Sequence, residues 1–225
     1  MCILESDIHG SLSTVHRIRR FSKEEVLDQL HIEGYTLHLP DTWVSYHQAR
    51  LIVFVRNDIK IVRRPMPFSI SDLPTITFEV GLGKERKSLV NFYYREWTGG
   101  ISGDCTQTAQ LDRFSRQVDY WRSSKMENRD LILVGDANFC SMSCFNLDYP
   151  ANLKAIANIA NDFYLEESMT QLIIKPTRAE LQGQDIHKSS IDHITTSSPR
   201  KCINSEVVVG GASDHLTVLT TKLSK

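Results

Sequence analysis

Carboxylate and amide residues recur where apolar runs of this chain end. Cys2-Ile3-Leu4 stops at Glu5, and Leu131-Ile132-Leu133-Val134 stops at Gly135-Asp136-Ala137-Asn138. Ile191 leads into Asp192-His193, and Gly210-Gly211-Ala212-Ser213 leads into Asp214-His215 and a further apolar run. If these runs are strands whose ends share one rim of a sandwich, Glu5, Asp136, Asn138, Asp192, Asp214 and His215 meet in one cleft. Carboxylate and amide oxygens suit a hard cation such as Mg²⁺, with Mn²⁺ the alternative, and such an ion also binds substrate phosphate. It polarises a phosphoryl oxygen and steadies a leaving oxygen. A carboxylate orients or deprotonates the attacking water, and a His held by a second carboxylate donates to the phosphate as charge builds. Taken singly, each junction reads as an ordinary turn, because Asp, Asn and Gly are common turn residues. Four junctions carrying the same chemistry read as a site.

The elements that must position these groups are short strands interrupted by a few helices. Ser22-Lys23-Glu24-Glu25 offers an N-cap and an acidic first turn for a helix to about Leu30. Leu51 to Val55 and Ile59 to Val62 flank Arg56-Asn57-Asp58, which reads as a hairpin. Thr75 to Val80 alternates, with Ile76, Phe78 and Val80 on one face, and Ser88 to Tyr94 is a further strand. Leu111, Phe114, Val118 and Trp121 recur at helical spacing between Thr106 and Ser123. Asp130 to Val134 is a compact buried strand that Gly135 is expected to stop. Asn152 to Asn161 reads as a second helix, with Leu153, Ile156 and Ala160 on one side. Strands are expected over Gln171 to Lys175, Ile191 to Thr196, Ile203 to Val209 and His215 to Thr221. The interleaving predicts an α/β (α+β) fold of two packed sheets with helices outside.

Composition excludes several classes. The chain has 225 residues, enough for one domain with a substantial core and no need of disulfide or metal staples. Its formal charge is -1, which argues against a protein that holds nucleic acid by bulk positive charge. Charged residues punctuate the first twenty positions, so no apolar signal-peptide core stands there. The longest apolar run, Leu51 to Val55, is far short of the roughly 20 residues of a membrane span. The five Cys are an odd number, which points to free thiols in a reducing compartment. Cys140 and Cys144 lack a second Cys/His pair nearby, so their spacing does not make a zinc site.

Glu5 after an apolar strand, Gly-Asp-Ala-Asn at 135–138, Ser-Ile-Asp-His at 190–193 and Ser-Asp-His at 213–215 together resemble the endonuclease/exonuclease/phosphatase superfamily. The resemblance spans almost the whole chain in the family's order. Gln48-Ala49-Arg50 to Val55, Tyr94-Arg95-Glu96-Trp97 and Lys175-Pro176-Thr177-Arg178 look more like its retrotransposon (LINE-type, non-LTR) branch than its repair branch. The resemblance implies a four-layer α/β sandwich, two packed mixed β-sheets flanked by helices. Glu5 then looks like the metal-binding Glu and Asp214 like a metal-proximal carboxylate. Asp136 resembles the residue that orients or deprotonates water, and Asn138 the amide that steadies the phosphate. Asp192 resembles the partner of the catalytic His, and His215 that His. Tyr94 resembles the Tyr at the scissile phosphate. Tyr93 competes for that role, because a slip of one residue swaps faces. Thr177 is expected on the substrate side, and Arg95 beside the DNA backbone, where the bland alternative is a solvated strand residue.

Family members begin with a strand whose Asn helps hold the metal. No Asn precedes Glu5 here, so the expectation is a single domain over 1–225 that lacks this first strand. The reading that follows is an Mg²⁺-dependent phosphodiester hydrolase that nicks DNA, as a monomer or as part of a longer reverse-transcriptase polyprotein. It is expected inside the cell, in the nucleus, and away from membranes. A phosphatase of lipid or small phosphoesters keeps the same fold, and a non-catalytic binding remnant is the reading from another class.

Overall fold

Residues of alternating polarity give a strand two faces, and the central strands of this protein bury both. The computed structural model describes residues 2–4, 30–40, 51–67, 70, 73–81, 87–95, 107–125, 129–140, 151–209 and 215–222. In chain order these form β1 (Cys2–Leu4), β2 (Tyr35–His38), β3 (Ile52–Arg56), β4 (Ile61–Arg64), β5 (Thr75–Val80) and β6 (Ser88–Tyr94). Helix α1 (Gln107–Lys125), β7 (Asp130–Asp136) and α2 (Ala151–Glu166) follow. The last elements are β8 (Thr170–Gln171), β9 (Arg178–Gln182), β10 (Asp185–Ser189), β11 (Asp192–Thr196), β12 (Cys202–Val208) and β13 (Thr217–Lys222).

Six strands make one mixed sheet in the order β4-β5-β6-β7-β11-β8. Strands β6 and β7 are parallel, because the chain crosses between them through α1, and the other pairs are antiparallel. One face of this sheet packs Leu89, Tyr93, Leu131 and Leu133 against Phe114, Val118 and Trp121 of α1 and Ile156, Ala160 and Phe163 of α2. The other face packs Ile76, Phe78, Val90, Phe92, Val134 and Ile194 against Leu51, Val53 and Val55, with Val207 and Val218 alongside. The second β layer is thus the antiparallel sheet β1-β3-β2 together with the hairpin β12-β13. On the far side of β3, Ile52 and Phe54 cluster with Leu39. Helix layer, mixed sheet and second β layer bear out the expected α/β sandwich. The outer helix expected over 22–30 falls almost wholly outside the described residues. Among the described residues no helix is long and apolar enough to cross a membrane.

Four local expectations are corrected. Ile52–Arg56 and Ile61–Arg64 are not a hairpin: β3 pairs with β1 and β2, while β4 pairs with β5 in the other sheet. Both are apolar on the face they share, so the turn between them carries the chain from one layer to the next. The expected strand Gln171–Lys175 shrinks to the two residues of β8 at the sheet edge. Helix α2 runs past Asn161 to Glu166, because Phe163 and Tyr164 extend the buried stripe of Ile156 and Ala160. Only the six-stranded sheet is mixed among the described strands.

Gly135 does not stop β7; the strand runs through it to Asp136. Gly135 pairs with Tyr93 in the parallel register, and a Cβ there would lie 1.9 Å from the Tyr93 carbonyl oxygen. The glycine is needed for close approach of two backbones. Gly135→Ala is therefore expected to lower stability by about 3 kcal/mol or more, read as the urea unfolding midpoint. An unchanged midpoint would contradict the packing.

Asp130, at the opposite end of β7 from Asp136, ties the layers together. Its carboxylate accepts from Ser198 Oγ at 2.6 Å and Lys201 Nζ at 2.5 Å, with Lys222 Nζ of β13 at 3.4 Å. Burial alone would raise this carboxyl, but the bonds from Lys201 and Ser198 and the charge of Lys222 hold it down at about 2. A depressed carboxyl contributes stability that is complete above its unfolded value and is lost as pH falls through the folded one. Wild type is expected to lose about 2 kcal/mol between roughly pH 4 and pH 2 through this group. Asp130→Asn should flatten that part of an acid denaturation series.

Candidate active site

The register of three neighbouring strands sets the site. Tyr94 of β6 pairs with Asp136 of β7, and Asp136 pairs with Asp192 of β11. Register partners share a face. The row Tyr94–Asp136–Asp192 therefore continues the apolar row Phe92–Val134–Ile194 by one step toward the strand ends. The same alternation sends Tyr93 to the helix side, where its ring meets Trp121 edge to face at 4.9 Å. Burial pushes the Tyr93 hydroxyl well above its ordinary value, which leaves it neutral. The strand's faces separate the two tyrosines: Tyr94, only partly buried, lies on the side of the carboxylates.

His215 comes from another part of the chain. A bridge pairs it with Arg178, and Leu216 N donates to Thr177 O at 2.6 Å. Its Nδ1 lies 3.2 Å from both Oδ1 and Oδ2 of Asp192. One ligand-type atom from each of Asp136, Asp192 and His215 lies within 4.8 Å of the others. Two of the three are carboxylates, the donors a hard divalent cation prefers. With Nδ1 turned to Asp192, the His fits an oriented hydrogen-bonding group better than a metal ligand.

Two residues support this group from behind. Thr177 is 0% exposed, and its Oγ1 accepts from Ile191 N at 3.1 Å and Asp192 N at 3.0 Å. Expected beside the substrate, it is instead buried under the start of β11. Arg95, expected at the DNA backbone, is 7% exposed. Its guanidinium donates to Ala137 O and, at 2.6 Å, to Asn138 O. Asn138 answers with Nδ2 to Arg95 O at 2.7 Å, and its N–H donates to Asp136 Oδ1 at 2.7 Å. Asn138 holds φ of 49°, the left-handed region in which Asn is among the tolerated residues.

Asp136, Asn138, Asp192, His215 and Tyr94 therefore gather near one rim. Glu5 and Asp214 lie outside the described residues, as do Gln48-Ala49-Arg50 and Glu96-Trp97. Sequence reading missed β2 and the hairpin β9-β10, which leaves Thr177 and returns just before Asp192. Gly183 at φ 66° in its two-residue loop was the available signal. It also missed that His193 faces the helix core, where its ring meets Phe139 at 5.1 Å. Burial lowers the His193 imidazole to about 4, so it is neutral at neutral pH. A small cleft opens beside β6 and α1, lined by Tyr94, Arg95, Gln110 and Arg113 among others; the carboxylates do not line it.

No family model and no curated protein matches the chain. Solved structures do. The endonuclease domain of TRAS1, a telomere-specific non-LTR retrotransposon, aligns with a TM-score of 0.62 at 15% identity, over 86% of this chain and 83% of that one. An AP endonuclease from Archaeoglobus fulgidus aligns at 0.59 and 14% identity, over 90% and 83%. The 3′ phosphatase NExo from Neisseria, bound to product DNA hairpin, aligns at 0.60 and 13% identity, over 91% and 86%. The chain has the fold of endonuclease/exonuclease/phosphatase proteins, a fold shared by nucleases and phosphatases.

Thr177→Val removes the acceptor of two buried N–H groups. It is expected to cost about 2 kcal/mol in a thermal or urea melt, and Thr177→Ser to restore most of it. A Val variant as stable as wild type would remove Thr177 from its supporting role.

Proposed function

We propose that this protein is a divalent-metal-dependent phosphodiester hydrolase that nicks DNA, of the retrotransposon endonuclease type. The observation that carries the reading is the meeting of Asp136, Asp192 and His215 within 4.8 Å at the end of paired strands. The likeness in fold to a retrotransposon endonuclease domain and to a phosphatase bound to a DNA hairpin supports it.

Asp136 is the carboxylate placed to accept the proton of the attacking water or to orient it. The Asp192 carboxylate, 3.2 Å from His215 Nδ1, sets the ring so that Nε2 addresses the phosphate. A proton on Nδ1 shared with Asp192 also steadies the imidazolium as negative charge builds on the phosphorus oxygens. Asn138 uses one Nδ2 hydrogen on Arg95 O, and its second is the donor for a phosphate oxygen. Tyr94, in register with Asp136, presents its hydroxyl to the same group. Mg²⁺ is the expected ion, with Mn²⁺ as substitute. Asp136 is the described carboxylate on offer to it, and Glu5 and Asp214 are the further ligands in this reading. When bound, the ion polarises the phosphate and neutralises the leaving oxygen.

Nicking of supercoiled plasmid tests the reading. Wild type is expected to convert it to open circle with Mg²⁺ and to stop with chelator. Asp136→Ala and His215→Ala should each lose roughly 100- to 10,000-fold. Variants that nick as fast as wild type would sink it. Hydrolysis of a phosphoinositide in preference to duplex DNA would move the substrate to small phosphoesters.

A further inference from the structure

We infer that Arg95 is a positioning residue: its guanidinium holds the 136–138 segment in its active shape instead of gripping a DNA phosphate. This rests on the phosphodiesterase reading above and deepens it. All three guanidinium nitrogens have protein acceptors. Nε donates to Ala137 O, Nη2 to Asn138 O at 2.6 Å, and Nη1 reaches Gln110 Oε1 of α1 at 3.5 Å. The guanidinium carbon also stands 6.0 Å over the Phe139 ring. The backbone of Arg95 joins the same lock. Its N–H donates to Asp136 O at 3.0 Å, and its carbonyl accepts from Asn138 Nδ2.

The physical need is clear from the turn. Where β7 ends, Ala137 and Asn138 turn away from the strand, and their carbonyls point into a buried space. Buried carbonyls need donors. A planar guanidinium presents parallel N–H groups that satisfy two adjacent carbonyls at once, which a lysine ammonium cannot do in one geometry. Held this way, Asn138 keeps its positive φ and its N–H stays on Asp136 Oδ1. Arg95 thereby fixes two groups of the proposed mechanism without touching substrate.

The test compares wild type with Arg95→Lys and Arg95→Gln in three measurements. They are plasmid-nicking kinetics, the salt dependence of duplex binding, and amide hydrogen exchange at Ala137, Asn138 and Phe139. For Arg95→Gln we expect kcat to fall about 100-fold, the cost of a misplaced catalytic group, with KM within about twofold. The slope of log affinity against log salt should not change, and exchange at the three amides should quicken at least about tenfold. Arg95→Lys should recover part of kcat. A slope reduced by about one, with exchange unchanged, would make Arg95 a phosphate ligand and overturn the inference. Faster exchange with kcat intact would also overturn it, leaving a structural role only. If Arg95→Gln does not fold, Arg95→Lys carries the same comparison. A wild type inactive on DNA would count against the nuclease reading, whereas unchanged exchange at 137–139 would count against the lock.

Discussion

The in-register pairing of β6, β7 and β11 is the constraint on which the rest depends. It stacks Phe92, Val134 and Ile194 across one face of the sheet and then, one step on, Tyr94, Asp136 and Asp192. The apolar row supplies the burial that holds the strands together. The polar row inherits its alignment from that burial. The pairing tolerates nothing larger than glycine opposite Tyr93, so Gly135 is as much a part of the site as the carboxylate beside it.

Carboxylates at the edge of an apolar core are costly unless their environment answers them. Each acidic group at the ends of β7 and at the start of β11 is answered in its own way. Asp136 accepts from the Asn138 backbone, and Asp192 faces His215 while Thr177 holds its amide. Asp130, at the far end, is met by two lysines and a serine. The far cluster fastens the hairpin β12-β13 to the mixed sheet, and the near cluster is left compact enough for three ligand-type atoms to meet. The helix side has its own polar brace. Trp121 Nε1 donates to Asn91 Oδ1 at 2.9 Å, and Asn91 Nδ2 donates to Thr77 Oγ1 at 2.6 Å. That brace keeps α1 registered on β5 and β6 behind the site.

Much of this was legible in the residues. The alternation in Thr75–Val80, the strand over Ser88–Tyr94 and the stripe Leu111–Phe114–Val118–Trp121 each found its element, because strand and helix set side chains at periods that sequence displays. The polar residues after Val134 and Ile191 announced a rim. The apparent hairpin around Arg56-Asn57-Asp58 misled, since two apolar strands and a turn look alike whether they pair edge to edge or stack face to face. Gly135 misled because a glycine that ends a strand and one that admits a close neighbour have the same letter. Arg95 and Thr177 have polar side chains and read as surface groups. Whether a polar side chain meets water or a buried backbone carbonyl depends on segments distant in sequence.

The chain by itself determined the kinds of chemistry on offer, the strands that carry them and the spacing that gives each strand two faces. Those follow from local rules, the preferences of each residue and the periods of helix and strand. Only the tertiary structure decided which strands became neighbours and in what register. From that came the face Tyr94 takes, the meeting of His215 with Asp192 and the burial of Arg95 behind Asn138. These are relations between segments 23 to 43 residues apart, fixed by packing and hydrogen bonding that no local stretch encodes.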